Sequence, residues 1–450
     1  MPAASRFKFA PIRCMVLVFV SAVGVATPAA AATAPATVPD NTPPQLTITS
    51  PSAGESYRGG EVVVDASASD DDQIAGVTGT LDGVAIPVPD RFPADNLAPG
   101  THTLVVTARD RAGNVTTDSA SFSTAVAPRP PAAYYHGQLA GRRERAPVLV
   151  AAGDVACEPG QPATPTTCQQ AGTAELVQSL HPDAVAVLAD EQYEIGTLSN
   201  FNAAYGPTWG AFRGISQPAA GNHEYAQDNY PGAQAAGYFD YFNGPGKEEG
   251  RAGDRQRGYY SYDIGAWHVV VLNSECGVVS CKPGSGQQRW LTADLREHQS
   301  RCTLAYWHEP LFTDGVTEFG ANNLASRDLW DTLYRYGADV ILNGHDHNYQ
   351  RYAPQAPDGT PDPARGIREF VVGTGGKSLF DQPHQIANLE AHDHSTFGAL
   401  RLRLERSGYA WRFVPESGHG HGNATFTDQG SANCHGSARA VHTHHQRHGR

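Results

Sequence analysis

Two imidazoles, His345 and His347, sit two residues apart directly after the apolar run Val340-Ile341-Leu342 and the break Asn343-Gly344. Imidazole nitrogen is a good ligand for zinc, iron and related ions. If the backbone stays extended past Gly344, side chains at i and i+2 point to the same side, so both rings face one region of space. Two neighbouring metal ions would need that arrangement. An exposed turn accounts for an isolated His-x-His pair just as simply, so the case depends on metal-type residues at the ends of other strands.

Such residues recur. The run Val148 to Ala152 leads into Gly153-Asp154, and Ala184 to Ala189 leads into Asp190-Glu191-Gln192-Tyr193. Ile215 to Ala220 leads into Gly221-Asn222-His223-Glu224, and Thr303 to Trp307 into His308. Each has an ordinary explanation alone, as a turn former, a cap or a packed ring. Together they place oxygen and nitrogen donors at the carboxyl ends of successive strands, the edge where open α/β sheets bind ligands. Mixed O and N donors suit iron, zinc or manganese rather than thiolate-seeking metals.

In order, Gly153-Asp154, Asp190-x-x-Tyr193, Gly221-Asn-His-Glu224, His308 and Gly344-His-x-His347 resemble the motif set of the calcineurin-like metallophosphoesterases. The tyrosine makes the set look like the purple acid phosphatase branch. The resemblance runs from Val148 to Gly376 and includes the glycine-rich turn Gly373-Thr-Gly-Gly376. It implies one metal held by Asp154, Asp190, Tyr193 and His347, and a second held by Asp190, Asn222, His308 and His345, with Asp190 bridging. It further implies Fe(III) at the tyrosine position and a divalent ion (Fe, Zn or Mn) beside it. The reaction to expect is phosphomonoester hydrolysis by a metal-bound hydroxide attacking phosphorus. His223 would hydrogen-bond a phosphoryl oxygen or protonate the leaving group; alternatively it only positions its loop through Glu224. The pattern departs from the family at Ala189, where glycine is usual, and at Phe312, where a tyrosine could add a hydrogen bond.

The elements that must position these groups read as an α/β layered domain of mixed sheets flanked by helices, over residues 147–434. Val148 to Val150, a helix over Thr173 to Leu180 and Ala184 to Leu188 form a β-α-β unit. An antiparallel pair follows over Tyr259 to Asn273, then helices at Gln287 to His298 and Leu324 to Tyr336. Further strands are expected at Thr303 to Tyr306, Glu369 to Val372, Leu400 to Leu404 and Tyr409 to Val414. Ahead of this, short β segments at Leu46, Val62, Val84, Leu104 and Ser121, separated by Asp82-Gly83, Pro99-Gly100 and Gly113-Asn114, predict a small all-β sandwich over residues 44–126. Its ending, Ala108-Arg-Asp110-Arg-Ala-Gly113-Asn114, resembles bacterial immunoglobulin-like modules. Its acidic turn Asp70-Asp71-Asp72 has the residue type for calcium at the sandwich edge, but reads better as a solvated turn. Residues 33–43 form a spacer, 127–146 a proline-rich linker, and 435–450 a histidine-rich disordered tail.

The N-terminal residues 1–32 carry Arg6, Lys8 and Arg13, the apolar run Met15 to Val25 and small residues near Ala31, which read as a secretory signal peptide. No other segment is a transmembrane candidate, so the expectation is a secreted protein, extracellular or in the cell envelope. Besides Cys14 there are Cys157, Cys168, Cys276, Cys281, Cys302 and Cys434, an even number that fits disulfides in an oxidising compartment. Close spacing favours Cys157 with Cys168 and Cys276 with Cys281, leaving Cys302 for Cys434, among fifteen arithmetical pairings. A formal charge of −13 argues against binding duplex nucleic acid but not against a small phosphorylated substrate. Partner expectations are therefore such a substrate, plus contact with a cell surface or polymer through the sandwich.

There is no G-x-S-x-G elbow, and Gly376-Lys377-Ser378 is not a P-loop because Val371 stands where its first glycine belongs. Two other readings stay open. One is a phosphodiesterase or nucleotidase, distinguished by pocket walls at Glu194 to Gly214, Tyr225 to Gly258 and Gly315 to Asn323. The other is a non-catalytic extracellular binding protein with structural metals, against which a donor set for two ions counts.

Overall fold

The computed structural model describes residues 40–57, 61–71, 73–94, 97, 99–125, 145–225, 234–314, 324–379, 386–416 and 426–436. The expected signal peptide, the spacer through residue 39, linker residues 127–144 and the tail from 437 lie outside the described residues. So do 226–233 and 315–323, which belong to the loops expected to wall a pocket.

The N-terminal portion is all-β. A three-stranded sheet (Gln45–Ser50, Glu61–Ser69, Asp90–Pro93) faces a five-stranded one (Ser56–Tyr57, Val115–Thr124, Gly100–Asp110, Ile74–Leu81, Val84–Ile86). Alternation along Gly100–Asp110 sends Leu104 and Val106 inward against Val62, Val64, Leu81 and Phe122, while the intervening residues face out. Ile74–Leu81 is not announced by the sequence, because Gly76 and Gly79 interrupt its apolar pattern. Asp70 lies with Asp40 and Asp110, one ligand oxygen of each within 4.8 Å of the others, rather than in open solvent. Asp72 is outside the described residues.

The remainder is built on two mixed sheets. The six-stranded sheet runs Ser216–Pro218, Ala184–Val187, Val148–Ala152, Gly398–Glu405, Gly408–Pro415, Gln429–Asn433, its first three strands parallel. The seven-stranded sheet runs Tyr260–Ile264, Trp267–Val271, Cys302–Tyr306, Val340–Asn343, Arg368–Val372, Tyr349–Tyr352, Leu389–Asp393. Its central strands, from Trp267–Val271 to Arg368–Val372, are parallel. Five of these parallel strands, Val148–Ala152, Ala184–Val187, Trp267–Val271, Cys302–Tyr306 and Val340–Asn343, are buried throughout, which is why they read as largely apolar runs.

The pleat divides them between two cores. Val269, Val271, Leu304, Tyr306, Leu342 and Phe370 pack with Leu149, Val185, Leu400 and Leu402 of the other sheet. Val270, Ala305, Ile341 and Val371 point the other way, against Leu291 and Leu295 of the helix Gly286–Glu297 and Leu329, Trp330 and Leu333 of the helix Arg327–Tyr336. Burying each leucine stabilises this layer by about 2 kcal/mol. Ser285 caps the first helix by accepting from the Gln288 amide, and Gly337 ends the second in the left-handed conformation.

The two pairings favoured by close spacing, Cys157–Cys168 and Cys276–Cys281, form, and so does the one left over, Cys302–Cys434. The last ties the start of a strand in the seven-stranded sheet to the residue just past the edge strand Gln429–Asn433 of the six-stranded one. No helix among the described residues is long and apolar enough to cross a membrane.

Candidate metal centre

The parallel strands of both sheets end side by side, and the side chains singled out in the sequence meet there. Asp154, Asp190 and His308 are almost completely buried. Where the chain leaves its strands it turns sharply: Asp154, Ala189, Asp190 and His345 all have φ between +46° and +71°. Asp and His tolerate this left-handed region better than most residues. Ala189, at φ +67°, does so at the position where glycine was expected from the resemblance. His345 also corrects the assumption of extended backbone after Gly344. The strand ends at Asn343, and the two rings serve adjacent points rather than one.

The first point is centred on Tyr193. Its hydroxyl oxygen is 2.7 Å from Asp154 Oδ1, 2.9 Å from Asp190 Oδ2 and 2.9 Å from His347 Nε2. The second is centred on His308 Nε2, 3.0 Å from Asp190 Oδ2, 3.1 Å from Asn222 Oδ1 and 3.1 Å from His345 Nδ1. Asp190 Oδ2 is common to both groups.

Proton counting tests whether cations fit. The Tyr193 hydroxyl has one proton for three acceptor-type neighbours. His308 Nδ1 faces the Leu188 carbonyl at 3.1 Å, so a neutral ring donates there and turns a lone pair toward three further donor atoms. His347 is set in the same way, its Nδ1 2.7 Å from Ser378 Oγ and its Nε2 facing Tyr193 and Asp154. Burial pushes the Tyr193 phenol well above its usual pKa, and the charges of Asp154 and Asp190 push it further. Burial lowers the His345 pKa to about 4, with His308 adding to the effect, so that ring offers a lone pair. For His308 burial opposes charging, but Asp190 and Asp154 outweigh it and raise the pKa well above normal, so without a cation the ring takes on Nε2 a proton that a bound metal would displace. Seven converging donor side chains with few protons between them fit two metal cations.

His223 stands apart from these contacts. Its Nδ1 is 2.7 Å from the Glu194 carbonyl oxygen, its ring packs on that of Tyr193 with centroids 4.1 Å apart, and its Nε2 lies 3.9 Å from Asp190 Oδ2. The link from His223 to Glu224 considered from the sequence is not the one formed. The Glu224 carboxylate instead accepts the amides of Asp190, Glu191, Gln192 and Gly221, at 2.9–3.4 Å, joining the two loops beneath the centre. Beside it Glu191 is buried with neither oxygen hydrogen-bonded, and burial followed by the Glu224 charge raises its pKa well above normal.

Close approach makes two glycines necessary. A Cβ at Gly221 would collide with Asp190 Oδ1, and one at Gly373 with the Asp346 carbonyl. The turn that follows Gly373 fastens the first loop, Gly375 N donating to Gly153 O and Lys377 N to Asp154 O, at 2.8 and 2.9 Å. The sequence gives no sign that Lys377 and Ser378 belong to the centre, because the glycine-rich turn ends at Gly376 and Gly376-Lys377-Ser378 matches no phosphate-binding motif. Phe312 packs edge-on against Trp330, centroids 5.5 Å apart.

Residues 142–349 match the model of the calcineurin-like phosphoesterase family, and residues 44–116 that of the bacterial Ig domain. Purple acid phosphatase 21 of Arabidopsis thaliana is 30% identical over 164 residues, 34% of this chain and 36% of its own length. Purple acid phosphatase 15 of the same plant is 29% identical over 121 residues, 26% of this chain and 22% of its own length. The chain thus spans about a third or less of the length of these curated relatives. Among solved structures, the purple acid phosphatase PPD1 from yellow lupin (Lupinus luteus) seeds superposes with a TM-score of 0.50 at 16% identity, over 87% of this chain and 74% of that one. That likeness is one of fold.

Proposed function

We propose that this chain, a calcineurin-like phosphoesterase over residues 142–349, is an exported dinuclear-metal phosphatase that hydrolyses phosphate monoesters. The observation that carries the reading is the position of Asp190 Oδ2, 2.9 Å from Tyr193 Oη and 3.0 Å from His308 Nε2. One carboxylate oxygen between two donor groups is what a bridging ligand requires.

Asp154, Tyr193, His347 and Asp190 would hold one ion, and Asn222, His308, His345 and Asp190 the other. Tyr193, as a hard oxygen donor, favours Fe(III) beside a divalent partner. When bound, such a pair acidifies water and neutralises charge on phosphoryl oxygens. The chain supplies the rest. Glu224 and the Gly373–Gly376 turn hold the loops so that the donors converge before metal arrives. The Glu194 carbonyl accepts from His223 Nδ1 and orients the ring; with a second proton, on Nε2, the imidazolium would donate to a phosphoryl oxygen or protonate the departing alkoxide. The three disulfides and the resemblance of residues 1–32 to a signal peptide support export.

The test is metal analysis with a visible spectrum of the purified chain, alongside turnover of a phosphomonoester by wild type and Asp190→Asn. Near two metals per chain and a loss of turnover in the variant are expected. Wild-type rates in Asp190→Asn would remove the bridging assignment. Two colourless ions would take Fe(III) and the Tyr193 phenolate out of the account, and no stoichiometric metal after reconstitution would refute the reading.

A further inference from the structure

Lys377 is bound into the centre by its backbone and lays its side chain over the Tyr193 ring. Its amide donates to the Asp154 carbonyl at 2.9 Å, its own carbonyl accepts from Cys168 N at 3.0 Å, and its neighbour Ser378 hydrogen-bonds His347. The Cα is therefore as fixed as the ligand loops. The ammonium lies 4.8 Å from the centroid of the Tyr193 ring, the ring on which His223 also packs. It forms an ion pair with Glu194, whose carbonyl oxygen holds His223.

The two partners are unequally placed. The Lys377 side chain is 13% exposed, whereas that of Glu194 is 53% exposed and free to turn into solvent. An ion pair with so exposed a carboxylate is weakly held. Lys377 and His223 thus share two partners, the Tyr193 ring and Glu194, in surroundings already carrying Asp154 and Asp190. A phosphomonoester brings two negative charges at neutral pH and a diester one, so a lysine here favours the former.

We propose that Lys377 is a substrate-selecting residue: its ammonium exchanges Glu194 for a terminal phosphoryl oxygen and so sets the preference for dianionic phosphomonoesters over diesters. Glu194 is the internal competitor for that site. The inference rests on the phosphoesterase reading and names the substrate class for the same centre.

The experiment compares wild type, Lys377→Met, Lys377→Arg and Glu194→Gln, each after its metal content is measured. Phenyl phosphate and bis(p-nitrophenyl) phosphate serve as substrates, and inorganic phosphate is titrated by calorimetry. Lys377→Met should raise KM for the monoester by about tenfold or more while kcat moves only a few-fold, with diester turnover little changed. Lys377→Arg should recover most of the monoester KM, and Glu194→Gln should lower it. Phosphate should bind more weakly to Lys377→Met and more tightly to Glu194→Gln. Equal loss on both esters, or unchanged monoester KM and phosphate affinity, in variants with full metal content would overturn the proposal. Should Lys377→Met lose metal or fold, Glu194→Gln decides: an unchanged KM and phosphate affinity there refutes it. Absence of metal and of turnover in the wild type is the separate failure of the phosphoesterase reading, and removes the proposal with it.

Discussion

The amide of Asp190 donates to Glu224 Oε2 at 3.0 Å, so the residue proposed to bridge two metals is held from below by a carboxylate 34 positions later in the chain. Glu224 and Glu191 are neighbouring buried acids with opposite surroundings. Four amides point at the first, whereas the second has no hydrogen bond.

Glu224→Gln should therefore be severe and Glu191→Gln mild. A carboxamide at 224 turns N–H groups toward amide donors, costing about 2–3 kcal/mol and loosening both loops. At 191 an amide replaces a carboxyl that burial keeps protonated. Unfolding by denaturant, with metal content measured on the same samples, should show the large loss only for Glu224→Gln; equal losses would show that the four amides do not discriminate a carboxyl from a carboxamide at 224.

Ser378→Ala removes the group that orients the His347 ring. The expected effect is a loss in metal affinity of about 10- to 100-fold at the tyrosine-containing half of the centre, with the fold intact. Competition with a chelator measures it, and an unchanged affinity would show that His347 needs no such partner.

Ala189 occupies the left-handed region that a side chain disfavours. Ala189→Gly should stabilise the protein by about 1 kcal/mol, a rise of roughly 2 °C in Tm, without loss of metal. A lower Tm would mean that the methyl packs usefully and that strain is not the dominant effect.

A pH dependence should arise far from the centre. His268 is fully buried with Nδ1 2.9 Å from Asp263 and Nε2 2.7 Å from Asp294. Burial alone would lower its pKa, but these hydrogen bonds and charges raise it to about 9 from 6.5. A raised folded-state pKa gives stabilisation that is complete below pH 6.5 and lost as pH climbs through about 9. Allowing for solvent at half-exposed Asp263, the contribution is about 2 kcal/mol. The stability gap between wild type and His268→Gln should accordingly shrink between pH 6.5 and 10; a constant gap would show that the imidazolium is not the stabilising form.

Much of the centre was legible because its donors follow apolar runs. Asp154, Asp190, His308 and His345 each stand within three residues of a strand that is buried on both faces, and such strands announce themselves by composition. The supporting contacts were not legible. Glu224 acts on amides 32 to 34 residues away and Ser378 on a ring 31 residues away, distances fixed only when both sheets are assembled. The left-handed turns at Asp154 and His345 leave no periodic trace either. The edge strands Leu389–Asp393 and Gln429–Asn433, with alternate residues exposed and little apolar content, also escape a reading based on buried runs.

The Cys302–Cys434 bond fastens the strand that delivers His308 to the end of the six-stranded sheet. A recombinant host that makes this chain in a reducing cytoplasm would leave that strand unfastened, and metal-deficient preparations would then report the choice of compartment rather than the chemistry of the chain. Periplasmic or secreted production is the appropriate starting material, and thiol titration of each batch should precede any assay.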